Sequence, residues 1–287
     1  MNSSRQDQLI AVFEDTQAYY GEEPTLVRAV AESRKQTAFY PADDYPPIPE
    51  HKRAGRIVVT KSKTFQAAIE QSKKHPGQRI AVLNFASPTN PGGGVKRGSS
   101  AQEESLCRCS TLYPTIDRRW LWDKYYGPNR EAHDPVGTDA CIYSPGVVIC
   151  KTDDSFPERL PPEEFVTVDV ITCAAPNLRE RPWNPYNPGS GSSVNLTKKE
   201  QYDIHLKRAK HILHVAAANG AEILILGAFG CGAFRNDPEA VAAAYRDALA
   251  EYGRYFEEIE FAVYCRGYET ENYEAFKRVL TARSRMV

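Results

Sequence analysis

The chain contains no apolar run near the ~18 residues that a membrane-crossing helix needs. Its first residues, Met1-Asn2-Ser3-Ser4-Arg5-Gln6-Asp7, are polar and lack the apolar stretch of a secretory signal. There is no surplus of positive charge. Thirty-six basic residues against 37 acidic ones leave a formal net charge of -1, which argues against bulk electrostatic binding of nucleic acid. Paired zinc ligands are missing too. Cys107 and Cys109 are two apart, and His205, His211 and His214 lie on one lysine-rich segment without an acidic neighbour, so no metal is expected. The seven cysteines are an odd number. Cys141, Cys150, Cys173 and Cys265 sit inside strand-like apolar runs, as reduced, buried thiols do, and the expected location is cytoplasmic. No internal repeat is evident.

What is present is ordinary for a folded soluble domain: 287 residues, 41% apolar and 25% charged, enough for one large α/β domain or two smaller ones. Ser4 to Tyr20 and Thr25 to Phe39 read as helices. Tyr40 to Glu50 holds four prolines in eleven residues and reads as an extended arm. The organisation expected is a helical segment and Pro-rich arm over residues 1–50, packed on a main domain over 51–287.

In that domain strands at Arg56–Thr60, Arg79–Phe85, Cys141–Lys151, Phe165–Ala174, Glu222–Leu226 and Phe256–Cys265 alternate with helical patterns. Those patterns cover Thr64–Lys74, Ser100–Tyr113, Thr197–Gly220, a helix opening at Asp237-Pro238, and Thr270–Ala282. Trp120–Gly137 shows no clear period and reads as irregular, with a helical turn near Leu121–Tyr125. Pro176–Val194, rich in Pro, Asn, Gly and Ser, reads as a long loop. The alternation predicts an α/β fold with a largely parallel or mixed sheet covered on both faces. Ligands bind such sheets where loops leave the carboxyl ends of strands.

Two glycine-rich loops leave strands here. The first runs from Asn84 through Asn90, Gly92, Gly93 and Gly94 to Gln102-Glu103-Glu104. Three consecutive glycines weaken strand and helix alike, which suits a backbone lying against something else. Two readings of the glutamates stand side by side. In one, Ser100-Ala101-Gln102-Glu103 is a capping box and the acids serve the helix. In the other, one carboxylate holds a substrate hydroxyl while its neighbour, ~100° round the helix, faces a scissile bond.

The second loop, Gly227-Ala228-Phe229-Gly230-Cys231-Gly232, leads through Ala233 and Phe234 to Asp237-Pro238. A strand, Gly-x-x-Gly-x-Gly and a helix N-terminus can cradle a phosphate; a tight packing turn is the plainer alternative. The spacing is neither that of a dinucleotide-dehydrogenase fingerprint nor that of a nucleoside-triphosphate loop.

Taken together, Gly92-Gly93-Gly94, the seven-residue spacer and Gln102-Glu103-Glu104 resemble the signature of poly(ADP-ribose) glycohydrolases. Gly230-Cys231-Gly232-Ala233-Phe234 resembles that family's diphosphate loop. The short bacterial and fungal type is the nearer likeness, and it extends from about residue 5 to the end.

The resemblance implies a macrodomain-like three-layer α/β/α fold with a mixed central sheet and an N-terminal helical extension. It implies hydrolysis of ribose–ribose bonds in poly(ADP-ribose), releasing ADP-ribose, without metal or redox cofactor. Glu104 would be the general acid and then base. Glu103 and Asn90 would hold hydroxyls of the distal ribose, and the Gly92–Gly94 backbone and Gln102 would belong to the same subsite. Gly230, Cys231, Gly232, Ala233 and Phe234 would wrap the diphosphate, and Tyr264 would pack against the nucleoside. Expected partners are poly(ADP-ribose), ADP-ribose and ADP-ribosylated proteins, with neither membrane nor sequence-specific nucleic acid. A macrodomain that only binds ADP-ribose, and a hydrolase of mono-ADP-ribosylated targets, are the competing readings.

Overall fold

Ser4 starts the first helix by satisfying its own end. In the computed structural model, which describes residues 4–50, 53–183, 189 and 191–281, its hydroxyl accepts from the Asp7 amide at 3.1 Å and its amide donates to Asp7 Oδ2 at 3.1 Å. Helix α1 (Arg5–Glu22) turns directly into α2 (Pro24–Gln36), where proline at the first position needs no amide partner and Glu23 caps Leu26 N at 2.8 Å.

The helix expected to reach Phe39 ends at Gln36, and residues 38–40 form strand β1 (Ala38–Tyr40) instead. Antiparallel pairing with β4 (Cys141–Ile149), Ala38 opposite Tyr143, supplies the hydrogen bonds that a helix would have made locally. A three-residue edge strand is too short for its alternation to be read.

The chain continues through β2 (Arg56–Thr60), α3 (Thr64–Lys74), β3 (Ile80–Phe85), α4 (Gln102–Cys109), α5 (Tyr113–Ile116), α6 (Arg119–Leu121) and α7 (Gly127–Ala132). After β4 come β5 (Val166–Cys173), α8 (Lys198–Ala218), β6 (Ile223–Leu226), α9 (Pro238–Tyr252), β7 (Glu258–Ala262) and α10 (Glu271–Thr281). A π-helical turn, Trp122–Tyr126, joins α6 to α7, so residues 119–132 are helical rather than irregular. Buried Leu121, Tyr125 and Tyr126 anchor this stretch, but the widened turn and Pro128 spoil the 3.6-residue period. Of the long loop at 176–194, residues 184–188 and 190 lie outside the described residues.

The described strands form one mixed sheet in the order β1-β4-β5-β3-β6-β7-β2, antiparallel at β1/β4 and β4/β5 and parallel beyond. β3 explains why its sequence is a continuous apolar run. Ala81 and Leu83 join the core under α8 and α9, while Ile80 and Val82 join the core on the opposite face. Phe13 of α1 belongs to that second core, 1% exposed and edge-on to Tyr113 at 5.1 Å, a burial worth about 3–5 kcal/mol.

The Pro-rich arm is fixed by two of the histidines considered above. His211 Nε2 lies 3.0 Å from Asp44 O and His214 Nε2 2.6 Å from Pro46 O, and the Tyr45 ring meets both imidazoles edge-on. Among the described residues no cluster of three or more metal-ligating groups occurs, and no helix is long and apolar enough to cross a membrane.

Candidate active site

β3, β6 and β7 run parallel, so the loops after them emerge on one rim. A cleft of about 1570 Å³ opens there, and both glycine loops line it.

In the first loop Gln102 and Glu103 at the start of α4 reach back to the end of β3, and Glu104 reaches the glycine tract. Gln102 Oε1 accepts from Phe85 N at 2.8 Å, while its Nε2 donates to Leu83 O at 2.8 Å and Thr64 Oγ1 at 3.0 Å. Glu103 Oε2 accepts from Ser87 N at 2.7 Å, and its Oε1 accepts from Gly92 N at 3.2 Å and Asn84 Nδ2 at 3.4 Å. Glu104 Oε1 accepts from Gly94 N at 2.8 Å; its Oε2 is buried and has no partner. Burial pushes the Glu103 carboxyl well above the usual carboxylate range. The adjacent Glu104 charge pushes the same way, against the pull of its three donors.

This geometry overturns the capping-box reading of Ser100–Glu103. α4 begins at Gln102 behind Ala101, with no side-chain cap, and the Glu103 carboxylate is turned to the loop instead. It also explains the glycines more closely than a ligand does. Gly93 has φ +57°, and a Cβ there would lie 2.5 Å from Glu104 Oε1 and 3.0 Å from Glu103 Oε2. Gly93 is glycine because the backbone passes against the two carboxylates there, whereas a Cβ at Gly92 would meet the Tyr113 ring at 2.8 Å and one at Gly94 would run into Ser99 Oγ.

The second loop is organised by Asn236. Its Nδ2 donates to Pro176 O at 2.7 Å and to Gly230 O at 3.0 Å, and its Oδ1 accepts from His205 Nε2 at 2.8 Å. Burial lowers the His205 pKa to about 4, so the ring is a neutral donor at that nitrogen. Asp237 caps α9, accepting from Glu239 N and Ala240 N at 3.0 Å each and pairing with Lys198 Nζ at 2.9 Å. The expectation that the helix end itself serves an anion is therefore corrected: a carboxylate already occupies it. The loop keeps other donors. Among the described residues the amides of Gly232, Ala233 and Phe234 meet no protein acceptor. Burial pushes the Cys231 thiol up, and its Sγ donates to Phe229 O at 3.6 Å.

The structure thus brings Asn90, Gly93, Gly94, Gln102, Glu103, Glu104, Gly230 to Phe234 and Tyr264 to one cleft, with Gly92 buried just behind it. Gln102 positions the strand end, since protein partners take up its amide. Tyr264 lies two residues beyond β7, 55% exposed, with Lys63 Nζ 5.7 Å from its ring centre. Phe234 is half-buried beneath the Arg179 guanidinium, 5.6 Å from the ring centre.

Two contributors went unread in the sequence. Asn84 is a fully buried polar residue near the end of an apolar strand, a signal that was there to be seen. Arg130 of α7 gave none. Its Nε donates to Thr89 O at 2.7 Å, a second nitrogen donates to Asn90 Oδ1, and the guanidinium lies over the Trp122 ring at 4.6 Å. It holds the loop that presents Asn90 from forty residues away.

Three layers, a mixed sheet and a cleft across the strand ends, with two carboxylates beside a glycine tract, define a macrodomain-like α/β protein. A family model described as microbial-type PARG, catalytic domain, matches residues 8–152. The chain is similar to the crystal structure of poly(ADP-ribose) glycohydrolase from Thermomonospora curvata, at 29% identity over 94% of this chain and 98% of that one, with a TM-score of 0.77. The same enzyme bound to the inhibitor ADP-HPD aligns with a TM-score of 0.76, at 29% identity over 94% of this chain and 98% of that one. The glycohydrolase of Deinococcus radiodurans in complex with ADP-ribose aligns at 33% identity over 88% of this chain and 96% of that one, with a TM-score of 0.72. No curated protein matches. The chain belongs to the microbial-type poly(ADP-ribose) glycohydrolases, hydrolases of the ribose–ribose O-glycosidic bonds of poly(ADP-ribose) that release ADP-ribose.

Proposed function

We propose that Glu104 is the general acid and base of this hydrolysis and that the terminal ADP-ribose lies across the two loops. The observation that carries the assignment is the asymmetry of the glutamate pair. Both Glu103 oxygens already accept from protein donors, whereas Glu104 has one oxygen held by Gly94 N and one buried oxygen without a partner. A proton given to the substrate comes from Glu104 Oε2, the oxygen of the pair that no protein group occupies.

From there it passes to the departing ribose oxygen as the C–O bond breaks. Water then attacks the oxocarbenium-like carbon, and Glu104 takes the proton that water releases. Glu103 and Asn90 hold hydroxyls of the distal ribose beside the Gly92–Gly94 backbone, with Gln102 keeping the glutamates in register. The amides from Gly230 to Phe234 receive the diphosphate, the Phe234 ring packs against the ribose, and Tyr264 packs against the nucleoside. No step calls for a metal or redox cofactor.

Residues 1–50 act as part of the catalytic unit. In support, Phe13 lies in the core, β1 extends the sheet, and Gln6 Nε2 donates to Arg97 O at 2.6 Å beside the glycine tract. Seven unpaired cysteines support work in the reducing cytoplasm, on proteins that carry the polymer.

The test is release of ADP-ribose from poly(ADP-ribose) by native protein and by Glu104→Gln, with calorimetric binding of ADP-ribose to both. The expected result is a loss of about 10²–10⁴-fold in kcat with the Kd for ADP-ribose nearly unchanged. A fully active Glu104→Gln removes the assignment. Native protein that binds ADP-ribose and releases none is a reader.

A further inference from the structure

The two histidines that hold the Pro-rich arm differ in what faces their rings. His214 Nε2 lies 2.6 Å from Pro46 O, and its Nδ1 lies 3.4 Å from the Tyr252 hydroxyl. A carbonyl only accepts, but a tyrosine hydroxyl also donates, so a neutral ring with one N–H satisfies both contacts. His211 has no such choice. Its Nδ1 lies 2.6 Å from Asp139 O and its Nε2 lies 3.0 Å from Asp44 O, and both oxygens are main-chain carbonyls. A neutral imidazole would turn the lone pair of one nitrogen onto a carbonyl oxygen. Only the imidazolium donates to both. The ring is 0% exposed, so bulk water does not relieve the mismatch.

The groups around His211 have other partners or carry no charge. On the segment before β4, the Asp139 carboxylate meets Arg208 Nε at 2.9 Å and Lys207 Nζ at 3.1 Å. Lys210, on α8 like those two cations, pairs with Glu251 at 2.8 Å. Cys141 of β4 has its Sγ 3.6 Å from His211 Nδ1. Burial, with Cys173 of β5 beside it, pushes that thiol well up and keeps it neutral. Burial also raises Tyr45 of the arm and Tyr252 of α9, which stay phenols. Tyr40 of β1, opposite Cys141 in the sheet, has its hydroxyl on Asn219. Asp44 is an exposed residue and reaches the ring through its carbonyl. The pair of carbonyls, rather than an ion pair, holds the second proton on His211.

We propose that docking of the Pro-rich arm is a pH-sensitive switch: doubly protonated His211 holds residues 41–50 against α8, and loss of one proton releases them at Asp44. The shorter contact, to Asp139 O, keeps the remaining proton. Nε2 then turns a lone pair on Asp44 O. A ring that takes its second proton in the docked state contributes stability that is fully present below about pH 6.5, where a free histidine is charged. That contribution is lost as pH rises through the docked ring's own titration. The switch lies outside the cleft and does not depend on the glutamate assignment.

The experiment follows native protein, His211→Gln and His214→Gln from about pH 5.5 to about pH 8.5. Long-range ¹H–¹⁵N NMR reads the protonation of each ring. A protease that cuts after acidic residues reads release of the arm at Asp43 and Asp44. At about pH 7, where an unperturbed ring is mostly neutral, both His211 nitrogens carry protons and His214 carries one. His211→Gln is cleaved about tenfold faster than native protein at about pH 6, and the two rates converge by about pH 8.5. His214→Gln is cleaved faster than native protein by a ratio that does not change with pH. A His211 ring with a single proton at about pH 7 overturns the switch, and that reading needs native protein alone. So does a His211→Gln ratio that stays flat with pH, which would leave the arm indifferent to the ring's charge.

Discussion

The tract Gly92–Gly94 and the loop Gly230–Phe234 follow neighbouring strands, β3 and β6, yet they use glycine for different ends. The first is satisfied from within. The amides of Ser87, Gly92 and Gly94 close on the two glutamates, and at Gly93 those carboxylates leave no room for a Cβ. The second is braced from below by Asn236 and His205 but keeps bare amides at its crest. The acid–base role proposed for the glutamates calls for fixed geometry before substrate arrives, and the protein supplies their hydrogen bonds itself. Donors for an anion must stay vacant until it comes.

Glycine-to-alanine substitutions separate the two loops. The largest effect belongs to Gly93→Ala, where a Cβ would sit 2.5 Å from Glu104 Oε1 at φ +57°. Left-handed strain and overpacking together are expected to cost about 2–4 kcal/mol in denaturant unfolding, with a clear loss of kcat from the displaced glutamates.

A smaller effect tests the electrostatics of the first loop. A carboxyl with a raised folded-state pKa binds its proton more tightly folded than unfolded. Glu103 therefore contributes stability below about its unfolded value of 4.5, and that contribution is lost as pH rises through the folded pKa. The melting temperature of native protein should fall relative to Glu103→Gln as pH rises above about 4.5, by about 2–4 °C per kcal/mol lost. Parallel curves would mean that the three donors cancel the burial.

Smallest in stability is Gly232→Ala. A Cβ there meets nothing within 4 Å, so unfolding should shift by less than about 0.5 kcal/mol while the Kd for ADP-ribose rises several-fold. If Gly232→Ala unfolds as easily as Gly93→Ala, the contrast between the loops is wrong.

Much of this site was legible along the chain because its parts are local. A glycine tract, a spacer and two glutamates lie within about a dozen residues, and a strand–loop–helix unit brings them together without help from elsewhere. The same holds for α1, whose Ser4–Asp7 cap is a contact between near neighbours. The misreadings share a cause in distance. β1 reads as the end of a helix until β4, a hundred residues on, supplies its hydrogen bonds. Glu103 reads as a helix cap until the Ser87 and Gly92 amides fold back over it. The histidines of α8 suggest a search for metal, but His211 and His214 hold carbonyls of the Pro-rich arm and His205 holds Asn236.

The amino-acid sequence by itself determined the alternation of strands and helices, the two glycine loops and the acids behind one of them. These follow from propensity, period and short spacing, which act between residues a few positions apart. Only the tertiary structure decided which carboxylate keeps an unpartnered oxygen, which loop keeps vacant amides, and that Arg130 braces the Asn90 loop while α1 meets the turn after the glycine tract. Those outcomes depend on burial and on hydrogen bonds between segments that meet only when the sheet has formed, and no local pattern records them.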